Sequence, residues 1–139
     1  MEQEGLGRAF HLRIGPSEQI SFFHTNSIYG APVEEVIEVR NRNLVLKAVR
    51  TASPAVMEYY GFESSGPVQV MDKSLGSALS IQTGMRQDQG FRIGRRTVDL
   101  DKIAPPGSRI RLTVRQVSQA RFLWWTFLHK DRSETWSAP

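Results

Sequence analysis

Cysteine is missing altogether and histidine is scarce, with His11, His24 and His129 the only three. Without thiols the chain can form no disulfide, no thiolate nucleophile and no cysteine-ligated zinc or iron–sulfur centre. No two histidines have a metal-ligand spacing such as H-x-x-x-H. Each lies in or at the end of a strand-like segment, so a satisfied or solvent-facing imidazole is expected. The apolar stretches all fall short of the roughly 18 consecutive residues that span a bilayer. The opening Met1–Phe10 is acidic and polar, with neither the basic start nor the apolar run of a secretory signal. A cytoplasmic, intracellular protein is expected, or a virion-associated one if the chain is viral. There is no G-x-x-x-x-G-K-[ST] phosphate loop and no G-x-S-x-G elbow. These absences point to a non-enzymatic protein with no cofactor and no metal.

What is present is a strand-rich pattern. The 139 residues, 40% of them hydrophobic and 23% charged, suffice for one domain with a real core. We expect that domain over residues 1–130, followed by a polar arm over 131–139 whose only large apolar group is Trp136. Arg8–Ile14 alternates with Phe10, Leu12 and Ile14 on one side, which predicts a half-buried strand. Gln19–His24 predicts another, and Asn26–Pro32 a loop. Val33–Val39 reads either as a short helix carrying Glu34, Glu35 and Glu38 or as a strand favoured by its β-branched residues.

Asn41–Asn43 predicts a tight turn into Leu44–Val49, a run apolar on both faces in which Leu44 and Leu46 oppose Val45 and Val49. Ala55–Tyr60 continues the strand series. Val68–Met71 is a short strand followed by a turn at Asp72–Gly76, and Ala78–Gln82 is another strand. Phe91–Leu100 is a strand with Gly94 as a bulge or bend. Ala104-Pro105-Pro106-Gly107 is the strongest turn signal. Arg109–Gln116 then places Ile110, Leu112 and Val114 inward and Arg109, Arg111 and Arg115 outward. Ala120–His129 completes a set of about ten short strands with no convincing helix. The fold class expected is all-β, an antiparallel sandwich or a jelly-roll or Greek-key barrel.

Charge is uneven along the chain. Residues 1–85 carry seven basic and nine acidic side chains, whereas residues 86–139 carry eleven basic and five acidic. Fourteen of the 18 cations are Arg, whose planar fork grips phosphate or carboxylate with two parallel hydrogen bonds. Arg92, Arg95, Arg96, Arg109, Arg111, Arg115 and Arg121 are the candidate anion-binding residues, a patch if the strands that carry them are neighbours. Carboxylates on a neighbouring strand would turn the same row into an internal salt-bridge ladder. Asp99 and Asp101 sit two apart, a spacing that projects both from one strand face, and with Arg95, Arg96 and Lys102 close by a salt-bridged rim is expected there rather than a metal site.

The segment Phe122–Leu128 is apolar on both faces of any strand it forms. Phe122, Trp124, Trp125 and Phe127, with Trp136, are therefore candidate interface residues, of types enriched at interface centres. The alternative is that the acidic segment around Val33–Val39 or the C-terminal arm covers these groups within the same chain.

Three readings follow. The leading one is a self-assembling structural or scaffold protein, a homo-oligomer akin in fold and charge to small viral shell or matrix proteins, with its Arg-rich face on nucleic acid, an acidic protein, anionic lipid or another polyanion. The alternatives are an intracellular immunoglobulin-like adaptor that binds a peptide or protein, and a small enzyme with an Arg-lined pocket and His24 or His129 as acid–base group. Replacing Trp124 or Trp125 by Ala, whichever faces outward, is expected to change oligomer size by light scattering more than it changes the far-ultraviolet circular dichroism.

Overall fold

The computed structural model of the chain describes residues 11–63, 66–84 and 88–116. Within them the elements run β1 (Ile20–Thr25), β2 (Pro32–Arg40), β3 (Asn43–Arg50), α1 (Pro54–Tyr59), β4 (Val68–Gly76), β5 (Ala78–Gln82), β6 (Gly90–Ile93), β7 (Arg96–Asp99) and β8 (Arg109–Thr113), with a 3-10 turn at Leu100–Lys102 before β8. Six strands form one antiparallel sheet in the order β4-β3-β2-β1-β6-β7, and β5 pairs with β8 in a second, two-stranded sheet. The chain is all-β in class and sandwich-like. Arg121, the apolar segment with Phe122, Trp124, Trp125 and Phe127, and the arm with Trp136 lie outside the described residues.

The core sits between the two sheets. On the larger sheet Ile20, Phe22, Val33, Ile37, Leu44, Leu46, Val49, Phe91 and Ile93 point inward, and Ile37, Leu44 and Val49 have no exposed surface. Ile81 of β5 joins them, and Leu79, Ile110, Leu112 and Val114 pack against the cluster from the smaller sheet. Burying each Leu- or Ile-sized side chain contributes about 1.5–3 kcal/mol, which is what holds the layers together.

Local chemistry explains each departure from the sequence pattern. Val33–Val39 is strand, because residues 33 and 37 are needed on the inner face while Glu34 and Glu38 stay outside. In β3 the expected opposition of Val49 to Leu44 and Leu46 fails. Ile37 pairs with Leu46 and Val36 with Ala48, leaving Lys47 as an extra residue. This bulge shifts the phase by one and turns Val49 inward with the two leucines.

Ala55–Tyr60 is not a strand but lies in and just beyond the helix α1. Ser53 caps it by accepting from the Val56 N–H at 3.3 Å, and Pro54 fills the first helical turn, where a missing N–H costs nothing. The expected turn at Asp72–Gly76 is the second half of one long strand, β4. Of the bulge or bend expected at Gly94 the structure has the bend: with Arg95 it forms the two-residue turn that divides Phe91–Leu100, expected as one strand, into β6 and β7. Residues 11–14 form no strand, so the described part of Arg8–Ile14 lacks the predicted ladder. Asp99 ends β7 and Asp101 sits in the 3-10 turn, so the two do not share a strand face.

Gly90 fills a position that only glycine fits. A Cβ there would lie 2.6 Å from the Val98 carbonyl oxygen and would run into the Phe23 ring. Gly90→Ala is therefore expected to destabilise the fold by about 1–3 kcal/mol in chemical denaturation. Removing the ring with Phe23→Ala should relieve only part of that loss, because the carbonyl belongs to the paired backbone of β7.

Candidate anion-binding face

The turn before β8 decides what β8 displays. Thr83 is buried. Its hydroxyl donates to the Pro105 carbonyl at 2.8 Å and accepts from the Ser108 N–H at 2.9 Å. Its own N–H donates to Ser108 O at 2.8 Å and its carbonyl accepts from Gly107 N at 2.9 Å. Gly107 supplies the left-handed φ of 82° that closes the Pro105-Pro106-Gly107 turn. This clamp sets the register in which Gln82 faces Arg109, Ile81 faces Ile110, Ser80 faces Arg111 and Ala78 faces Thr113.

Period-2 alternation does the rest. Ile110 and Leu112 go to the core, so Arg109, Arg111 and Thr113 go to solvent. Their neighbours on β5 are Gln82, Ser80 and Ala78, none of them acidic, so the cross-strand salt-bridge ladder does not form. Arg115, beyond the end of β8, is exposed as well. Alternate residues on a strand are about 6.6 Å apart, so the guanidiniums of Arg109 and Arg111 can be engaged together by one extended anionic chain.

The other predicted arginines sit elsewhere. Arg92, Arg95 and Arg96 belong to β6, β7 and their connecting turn, in the larger sheet, and neither strand pairs with β8. Arg92 lies over the Phe23 ring at 5.6 Å from its centroid and 3.9 Å from Glu34. Arg96 stands 3.5 Å from Glu18 and donates to the Arg13 carbonyl at 2.6 Å. Arg95 is exposed in the turn. Asp99 is paired with Lys102 at 2.7 Å, which raises the ammonium's pKa through the hydrogen bond and the charge of Asp99.

Sequence reasoning missed Arg50. Its guanidinium is 3.5 Å from Glu34, on the opposite side of that carboxylate's partnership with Arg92. The pairing of Glu34 with Arg50 across β2 and β3 puts them on the outer face of the sheet. A register counted from the Asn41–Arg42 turn sets Glu34 opposite Val49, and only the bulge at Lys47 brings Arg50 there instead, so the sequence held no direct signal for it.

His24 faces the other way from its neighbour Phe23. Its ring stacks on Phe22 at 4.9 Å, and its Nε2 is buried 3.6 Å from Glu35 Oε1, beyond hydrogen-bonding distance. Glu35 also accepts from the Tyr60 hydroxyl. Burial and the hydrogen bond to Glu35 push the Tyr60 pKa up, so the phenol keeps its proton. Burial pushes Glu35 up too, but the contacts with His24 and Tyr60 and the nearby charges of His24 and Lys73 outweigh it, and its carboxyl is held below its ordinary value. His24 does not line the open cavity flanked by Arg50 and Arg92. His11 is exposed, and His129 lies outside the described residues.

Comparison with protein families, with curated proteins and with solved structures finds no match to this chain.

A carboxylate whose folded pKa is depressed contributes stability that is present above its unfolded value and lost as pH falls through the folded one. Unfolding free energy should therefore decline as pH drops below 4.5, the ordinary value for Glu35. Glu35→Gln should flatten that part of the acid limb when urea unfolding is followed across pH.

Proposed function

We propose that this chain is a non-enzymatic, self-assembling structural protein that contacts nucleic acid or another polyanion through the outer face of its two-stranded sheet. One observation carries the reading: Arg109 and Arg111 are exposed side by side on β8, opposite Gln82 and Ser80 and with no carboxylate across the ladder. Buried networks consume charge, but this face leaves it available. Guanidinium is weakly hydrated and matches phosphate geometry, and every phosphate it neutralises releases counterions, so affinity falls steeply with salt. Ser80, Gln82 and Thr113 add hydroxyl and amide donors without opposing charge. No large aromatic lies on this face among the described residues of the two strands, so the reading is backbone contact rather than base recognition. Self-assembly rests on the apolar Phe122–Leu128 segment of the sequence.

The test is the triple variant Arg109→Gln, Arg111→Gln and Arg115→Gln, titrated with a labelled single-stranded oligonucleotide at several salt concentrations. The salt slope should fall by about 2 for three lost phosphate contacts, with the circular dichroism spectrum and unfolding midpoint unchanged. An unchanged slope would show that the row does not meet phosphate. Light scattering together with the nucleic-acid content of the purified protein reads assembly separately.

A further inference from the structure

A second surface, on the opposite sheet, has a different chemistry. The larger sheet ends at β4, which pairs with β3 alone among the described strands. Exposed strand edges recruit other strands unless they are blunted by charge or by irregularity. In β4 the two halves differ. From Met71 onward the pairing with β3 is irregular, and the strand carries Asp72, held by Lys47 at 3.1 Å, and exposed Lys73. From Val68 to Val70 the pairing is regular, Val68 with Arg50 and Val70 with Ala48, and no residue is charged. This unguarded half exposes Val68 and Val70 by 46% and 77%, on the face that also bears Arg50.

Beside it opens a shallow cavity of about 430 Å³ lined by Phe23, Glu34, Arg50, Pro67, Val68 and Arg92 among others. Its floor is largely apolar, and its charge is two half-exposed guanidiniums sharing the single carboxylate of Glu34, which leaves an excess of one positive charge.

We infer that this end of the larger sheet is a docking site for an extended acidic peptide that pairs with Val68–Val70 as an added strand. The backbone of the regular half supplies the ladder, and an apolar side chain on the incoming strand covers Val70. A carboxylate two positions along, on the same face, reaches over Val68 to Arg50 and completes the charge that Glu34 leaves unbalanced. Charge complementarity selects an acidic partner over a basic one. The concave setting between Pro67 and Phe23 suits a narrow chain more than a flat membrane.

The probe is a fluorescein-labelled peptide of alternating Thr and Glu with Val in place of the central Glu, followed by anisotropy. It should bind the wild-type protein. Val70→Glu, Val70→Thr and Arg50→Glu should each weaken it, the charge changes by about tenfold or more. Val70→Thr keeps strand propensity, so it tests the contact even if the glutamate variant fails to fold. N-methylation of every second peptide amide on the pairing edge should abolish binding, and replacing Glu by Lys should weaken it strongly. The triple Gln variant of β8 should bind it as the wild type does, which separates this site from the polyanion face. The inference is overturned if the probe does not bind, if its methylated form binds equally well, or if Val70→Glu leaves binding unchanged. It is also overturned if the edge proves to be closed by a second copy that Val70→Glu releases, or if phosphatidylserine vesicles, and not the peptide, depend on Arg50.

Discussion

The two-stranded sheet has no stability of its own, and everything this protein displays on that side follows from how it is held. An isolated antiparallel pair is marginal in water. β5 and β8 persist because Ile81, Leu79, Ile110 and Leu112 rest on a floor of Ile37, Leu44 and Val49. That contact fixes one face of each strand inward, and the period of two then fixes the arginines outward. The orientation of Arg109 and Arg111 is thus a by-product of core packing and needs no interaction of its own. The Thr83 clamp adds register: without it β8 could slide by one residue and exchange its isoleucine for its arginine at the core.

The larger sheet solves a different problem. The smaller sheet covers one of its faces; on the other, Val36 and Val45 are buried, and around them the exposed part is made acceptable to water with charge and with long side chains. Glu34 between Arg50 and Arg92, with Arg92 lying over Phe23, and Asp72 between Arg40 and Lys47 serve that purpose. Exposed ion pairs of this kind contribute little to stability, commonly below about 1 kcal/mol each. Their role is to leave a surface that is polar, patterned and slightly positive. Phe23 lies across Gly90, where no side chain fits, and so ties this outer layer to the β1–β6 pairing.

Strands whose inner face is uniformly apolar were legible in the sequence. β1, β5 and β8 fall close to where alternation puts them, and the outward direction of Arg109, Arg111 and Arg115 follows from Ile110, Leu112 and Val114 alone. Legibility failed where one residue interrupts the period. Lys47 gives no local sign of a bulge, yet it decides which way Val49 points. The helix at Pro54–Tyr59 carries apolar residues that suit a strand equally well, and only its Ser-Pro start betrays it. Pairwise features were harder still. Arg50 and Glu34 are 16 positions apart in sequence, and only the hairpin register brings them together. The grouping of Arg92 and Arg96 with β8 failed for the converse reason, since strands near in sequence entered different sheets.

The β2–β3 hairpin turns through Asn41 and Arg42, with φ of 51° and 62°. Left-handed backbone suits asparagine, but it costs an arginine on the order of 1 kcal/mol. The hairpin nevertheless closes there, because Val39 opposite Leu44 and Ile37 opposite Leu46 leave no other alignment that hides their side chains. The bend is therefore a follower of the strands it joins. Its tip is consequently open to exchange for unrelated short sequences, a natural place to graft a tag or a reporter without disturbing either sheet.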